Sequence, residues 1–289
     1  SYSVTGVQTC ALPISGDASV LSKWAKSMAP PSNTATFLNF LDSHDGIGLL
    51  GAKDILSKTD IERICMRVKD HGGFVSYKTS GEGNEEPYEL NITWYSALNK
   101  KKDGDSLRMQ IKRFVASRSI ALVLQGTPGI YLHSLFGTHN DHAAFEVTRE
   151  KRVINRSIVD FCSIMRSMSY PKSKKHRINK YLGKMIKVRS NHRAFHPNGP
   201  QNILSVSPAV FAVTRTCPEG NQLVLTLTNV THYRRTIKIP LRDVGGHEGP
   251  WMDTLSEKVF SPIPGQLSLT LQPYEVLWLV PQKVESLTT

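Results

Sequence analysis

The sequence has 289 residues, 39% hydrophobic and 8% aromatic, enough for one large or two ordinary domains with a sizeable core. Its formal charge of +12, from 36 Lys and Arg against 24 Asp and Glu, favours anionic partners. The basic residues are scattered through helices and loops and form no single stripe, which argues against nucleic acid and for anionic small molecules. No apolar run approaches the ~20 residues that span a bilayer, so no membrane partner is expected.

Residues 1–14 are set aside as adapter-derived, because residues 4–14, VTGVQTCALPI, look like the translation of a common sequencing adapter and lack the basic start and apolar core of a secretory signal. On that reading the gene is cut off upstream of Ser15. Without Cys10, the cysteines are Cys65, Cys162 and Cys217, with no CxxC and no metal-type spacing. Reduced thiols, a cytoplasmic setting and no metal follow as expectations. The Asn-x-Ser/Thr matches at Asn91, Asn155 and Asn229 read as chance.

In chain order, residues 17–28 have helical apolar spacing, with Asp17 as N-cap and Pro30-Pro31 as stop. The run FLNFLDSHDG, residues 37–46, reads as a buried strand that delivers His44 and Asp45 to its carboxyl end before a Gly turn. In a (β/α) barrel that is where chemistry sits. An Asp after a strand also serves as the N-cap of the next helix. Thr59-Asp-Ile-Glu62 reads as a capping box opening a helix that stops at Gly72-Gly73. From Phe74 to about Asp105 no periodicity emerges, and the aromatic content points to a substrate-facing or a merely packed loop.

Ser106 caps a long apolar helix closed by Gly126, and residues 127–133 read as another short buried strand. Helical stretches follow at 157–169 and 180–190, separated by the basic run 172–177. The composition changes near Pro197. Beyond it, short alternating segments at 210–214, 223–228, 236–239, 267–271 and 276–280 predict a small antiparallel sandwich.

The segment LDSHDGIGLL resembles the fourth conserved region of glycoside hydrolase family 13, the α-amylase family, in the form of its sucrose phosphorylase branch. The ending LQPYEVLWL resembles the last strand of that family's carboxyl-terminal β domain. The resemblance implies the C-terminal portion of a (β/α)8 TIM barrel over 15–197, followed by an antiparallel β-sandwich over 198–289. It implies that Asp45 is the third catalytic carboxylate, a transition-state stabiliser, and that His44 binds the same sugar.

Further resemblance lies in HGGFVSY (71–77) and PYELNITWYSAL (87–98), which look like the acceptor loop of these enzymes, with Tyr88 and Glu89 contacting phosphate or acceptor. Sucrose phosphorylases carry Gln in place of Glu89 and Asp in place of Glu86, so fructose as leaving group is in question, and the form here looks more like phosphorylases that release glycerate or a phosphorylated acceptor. Arg152, in KRVINR, matches the family's sugar-binding Arg, and its fork suits hydroxyls or an anion. A solvated loop is the alternative for that basic run. His133 is expected to line the pocket. Tyr77, Lys78, Tyr88 and Arg152 are candidates for holding phosphate.

The implied activity is transfer of a glucosyl unit between an α-glucoside and inorganic phosphate as co-substrate, with retention and no cofactor. Retention needs two carboxyl groups about 5 Å apart. By the resemblance both precede this chain, so the polypeptide as written is expected to be inactive. A hydrolase or transglucosylase of the same family, and a non-catalytic carbohydrate-binding module, are the alternatives. The oligomeric state is left open.

Overall fold

The computed structural model describes residues 16–30, 32, 34–79, 83–100 and 104–282. The stretch read as adapter-derived lies outside the described residues. The chain divides into two compact units. Among the described residues, one comprises 38–121 and 128–183, and the other comprises 16–37, 122–127 and 184–282.

In the first unit, strand β1 (Leu38–Asn39) leads into Leu41 and Asp42, both buried, and then into a tight turn. Ser43 N–H donates to Gly46 O at 3.0 Å and Gly46 N–H donates to Ser43 O at 3.1 Å. Gly46 sits at φ +119°, and a Cβ there would collide with the Leu90 carbonyl, so only glycine lets this turn lie against its neighbour. Strand β2 (Ile47–Gly48) follows directly. Helix α1 of the second unit spans Ser19–Ser27, and helix α2 of the first spans Lys58–Asp70. The cap of α2 lies two residues before the expected one: Ser57 Oγ accepts from Asp60 N–H at 3.1 Å. The stop at Gly72-Gly73 is as read.

The stretch from Phe74 holds a hairpin where the sequence suggested a loop. Strands β3 (Phe74–Thr79) and β4 (Glu85–Asn91) pair antiparallel with an irregularity between Ser76 and Tyr77, and β2 joins the other edge of β4. Glu85, Glu86 and Pro87 suppress the strand signal by propensity, and tertiary pairing overrides it. After β4 come α3 (Trp94–Leu98), entirely buried, and the long α4 (Leu107–Val123), with Ser106 Oγ accepting from Met109 N–H at 3.3 Å. Strand β5 is short, Thr127–Pro128, and the expected remainder of that strand is a 3-10 turn at Leu132–Leu135. Gly129 N–H donates to Asn39 O at 2.7 Å, so the segment after β5 runs beside β1.

Helix α5 spans His142–Thr148, a 3-10 turn covers Lys151–Asn155, and α6 spans Phe161–Met168. Helix α7, Lys174–Asn191, absorbs most of the basic run that was expected to separate two helices. Lysine and arginine are good helix formers, and a polar exposed face does not break a helix whose Ile178, Leu182 and Met185 are buried.

In the second unit, α1 lies against β6 (Gln201–Ser207) and β7 (Val210–Thr216), burying Leu21 and Ala25. The N-cap position is Ala18, which makes no side-chain cap bond, one residue after the expected Asp17; Asp17 Oδ1 accepts from Ser19 N–H at 2.7 Å. Strands β6, β7, β8 (Leu223–Asn229), β10 (Trp251–Asp253), β11 (Val259–Phe260) and β13 (Val276–Pro281) form one sheet in the order β11-β10-β13-β8-β7-β6. Strands β9 (Arg235–Pro240) and β12 (Gln266–Leu271) form a second. Val210, Ala212, Leu225 and Leu227 of the first sheet share a core with Ile237, Ile239, Leu267 and Leu269 of the second, the two-layer sandwich that the alternation predicts.

Arg215 on β7 is fully buried without a carboxylate partner among the described residues. Its guanidinium donates to the carbonyls of Val123 (2.9 Å), His196 (2.7 Å), Gly199 (3.1 Å) and Pro200 (3.3 Å). Burial pushes its pKa down to about 9. Arg215→Met is expected to cost about 2–4 kcal/mol in urea unfolding, because these carbonyls lose their donor. A variant as stable as the parent would show that they need none. Cys65, Cys162 and Cys217 are free thiols.

Candidate functional site

The turn after β1, strand β4 and the 3-10 turn at Lys151–Asn155 converge in the first unit. Glu89 lies on the same face of β4 as Asn91, two residues on, and Asn91 Nδ2 donates to Glu89 Oε1 at 2.5 Å. From the 3-10 turn, Arg152 grips Glu89 with a two-bonded fork: Nε to Oε1 at 3.0 Å and Nη2 to Oε2 at 2.8 Å. Its Nη1 is 3.4 Å from Asp45 Oδ1.

Arg156, one turn on, donates from Nη2 to Asp45 Oδ1 at 2.8 Å and from Nε to the His44 carbonyl at 2.7 Å. His44 Nε2 stands 3.5 Å from the same Asp45 oxygen. Two guanidinium groups and two carboxylates thus form one network, with the Glu89 side chain 7% exposed and the others 37–44% exposed. The hydrogen bond to Glu89, aided by Asp45 and the Tyr88 phenol, raises the Arg152 pKa above its already high value, so this cation is permanent.

His44, Asp45, Glu89 and Arg152 are therefore brought together, and Tyr88 lies beside them, half-buried on β4. Glu86 is held by Lys53, whose hydrogen bond keeps the Glu86 carboxyl below its ordinary range. Among the described residues it makes no hydrogen bond to the Arg152 network. Tyr77 is exposed, with Lys69 Nζ 6.0 Å from its ring, and Lys78 faces Glu86 across the hairpin.

His133 is buried and lines a narrow cavity with Asp42, Tyr131, Ser134 and Asn155, its Nδ1 3.3 Å from Thr138 Oγ1. Burial lowers the His133 pKa below 6.5, against the opposing pull of Asp42. The unfolded chain then takes up this proton first, so stability present above pH 6.5 is lost as pH falls below it. His133→Gln is expected to flatten stability against pH in that acid window; an unchanged slope would refute the assignment.

The sequence reading missed Arg156, Asn155 and Asn91 as site residues. The available signal was spacing: Arg152, Asn155 and Arg156 at i, i+3 and i+4 share one helical face. It also missed the buried unit beneath the turn, where Arg118 Nη2 donates to Asp42 Oδ1 at 2.6 Å and Ser134 Oγ donates to Asp42 Oδ2 at 2.7 Å. Among the described residues no group of three or more His, Cys, Asp or Glu is placed to hold a metal ion, and no helix is long and apolar enough to cross a membrane.

No family model matches the chain. It is 41% identical over 216 residues to the glucosylglycerate phosphorylase of Allomeiothermus silvanus, covering 75% of this chain and 38% of that protein. It is 34% identical over 272 residues to that of Spirochaeta thermophila, covering 92% and 46%. The chain spans less than half the length of these curated relatives. Among solved structures, the crystal structure of sucrose 6F-phosphate phosphorylase from Thermoanaerobacter thermosaccharolyticum superposes with a TM-score of 0.66 at 21% identity, over 81% of this chain and 44% of that one. AmyP in complex with maltose gives 0.60 at 13%, over 97% and 50%. These two likenesses show the fold: part of an α-amylase-type barrel followed by a β sandwich.

Proposed function

We infer that this chain, which belongs to the α-amylase family, glycoside hydrolase family 13, on the side of its sugar phosphorylases, is part of a retaining α-glucoside phosphorylase. The observation that carries this reading is the paired network of Arg152 and Arg156 with Glu89 and Asp45. A phosphorylase must hold an anion beside the carboxylates of glycosyl transfer and keep water from competing. The Arg152 guanidinium, 44% exposed, brings a fixed positive charge that attracts phosphate oxygens or a carboxylate, and Glu89 accepts from hydroxyls.

In the proposed mechanism Asp45 binds hydroxyls of the glucosyl unit and offsets the positive charge that develops at its anomeric carbon. His44 bonds the same sugar. Arg152 and Tyr88 receive the anionic acceptor, first the carboxylate of a departing glycerate and then phosphate. The identity of the two relatives and the Glu at position 89 support glucosylglycerate over sucrose as the glucoside.

The test is to incubate the complete gene product with glucosylglycerate and inorganic phosphate and to measure α-glucose 1-phosphate. Free glucose in its place would mean a hydrolase. Faster turnover of sucrose or sucrose 6-phosphate would move the leaving group. No product from any of the three would refute the reading.

A further inference from the structure

The turn Ser43–Gly46 presents His44 and Asp45 at its tip; besides its own two backbone bonds, Ser43 Oγ accepts from Asp45 N–H at 3.2 Å and Asn91 Nδ2 donates to Asp45 O at 3.2 Å. Two adjacent residues hold the carbonyls of Ser43 and His44. Asn155 is 2% exposed, and its Nδ2 donates to Ser43 O at 3.2 Å and to His44 O at 2.9 Å. Both partners are acceptors, so the amide must present its NH2 to them, and its Oδ1 is left buried with no partner among the described residues.

Arg156 continues the same hold. Its Nε shares the His44 carbonyl and its Nη2 reaches Asp45 Oδ1. The basic side chains near Asp45, namely Arg156 at 2.8 Å, Arg152 at 3.4 Å and His44 at 3.5 Å, all approach Oδ1. Asp45 Oδ2 accepts no hydrogen bond among the described residues.

We propose that Asn155 and Arg156 are the positioning residues of this site: Asn155 fixes the backbone of the turn, and Arg156 sets the rotation of the Asp45 carboxylate so that Oδ2 faces the sugar. The inference rests on the phosphorylase reading and deepens it. Arg152 is committed to Glu89 by two bonds and touches Asp45 only with its remaining nitrogen, so it cannot do this work. Arg156 makes no contact with Glu89 and is free to serve Asp45 and its backbone alone.

The test uses the complete gene product with Arg156→Ala and Arg156→Lys. The expected result for Arg156→Ala is a fall in kcat of about 100-fold with KM for the glucoside changed less than about 3-fold. Its melting temperature should stay near that of the parent, since the side chain is partly exposed. Arg156→Lys should recover part of kcat, because an ammonium can reach Oδ1 or the carbonyl but not both. Added guanidinium chloride at tens of millimolar should restore Arg156→Ala by about 10-fold, a response that a structural role would not give. A kcat near that of the parent, or a loss that guanidinium leaves untouched, would overturn the proposal. Should the parent form no glucose 1-phosphate, the phosphorylase reading fails, and the positioning role is then read from glucose affinity by calorimetry. Weakening by about 10-fold in Arg156→Ala would support it, and unchanged or absent binding in the two proteins would overturn it.

Discussion

Arg118→Met should lower the unfolding free energy by about 3–5 kcal/mol, the largest stability effect expected of any single change in the first unit. The Arg118 side chain is 2% exposed and that of Asp42 4%. Arg118 lies across Trp94 and Phe114, its guanidinium carbon 5.2 and 5.4 Å from the ring centroids, and bonds both Asp42 and Ser134. Burial pulls the Arg118 pKa down, and Asp42 opposes this. Methionine fills similar volume but leaves a carboxylate in an apolar surrounding with only the Ser134 hydroxyl to satisfy it. The cost is that of the abandoned charge more than the worth of the pair. Asp42→Leu combined with Arg118→Met should therefore recover much of the loss, and a double-mutant cycle by chemical denaturation measures this. Equal losses in the single and double variants would show that Arg118 acts by packing alone.

Asp45→Asn should have the opposite profile. In the complete gene product, turnover should fall by about 100- to 1,000-fold, because an amide cannot offset the positive charge of the oxocarbenium-like centre. Stability should change by about 1 kcal/mol or less, since the Asp45 side chain is 39% exposed and its ion pairs are open to water. Steady-state assay and thermal unfolding of the same preparation separate the two. Retained turnover would assign the aspartate to holding the turn; a large loss of stability would place it with Asp42 as a structural anion.

The contrast between these carboxylates, three residues apart, bears on how much the sequence discloses. Both follow the same apolar run and look alike on the page. Burial separates them: Asp42 sits beneath the turn, bonded to Arg118 and Ser134 and lining a cavity with Trp94, whereas Asp45 stands at its tip. Arg118 and Ser134 reach Asp42 from 76 and 92 residues away, and no local spacing announces such partners. The hairpin of β3 and β4 was hidden for a related reason. Its residues include Glu85, Glu86, Pro87 and Lys78, weak strand formers by themselves, and pairing with β2 and with each other supplies what propensity does not.

What the sequence determined by itself follows from local rules. Alternation in 210–280 specified the sandwich because each strand buries one face. The cap at Ser106 sets a helix start, and Asp17 accepts from the first N–H of another helix, because orphan N–H groups need acceptors nearby in the chain. The motif around His44 and Asp45 and the fork of Arg152 were legible as residues of a recognisable type. Tertiary structure alone decided that Arg152 engages Glu89, that Arg156 and Asn155 hold the turn, that Glu86 pairs with Lys53 and that His133 is buried. Those outcomes depend on which side chains folding brings within hydrogen-bond distance and which it removes from water, and neither is encoded in the spacing of residues along the chain.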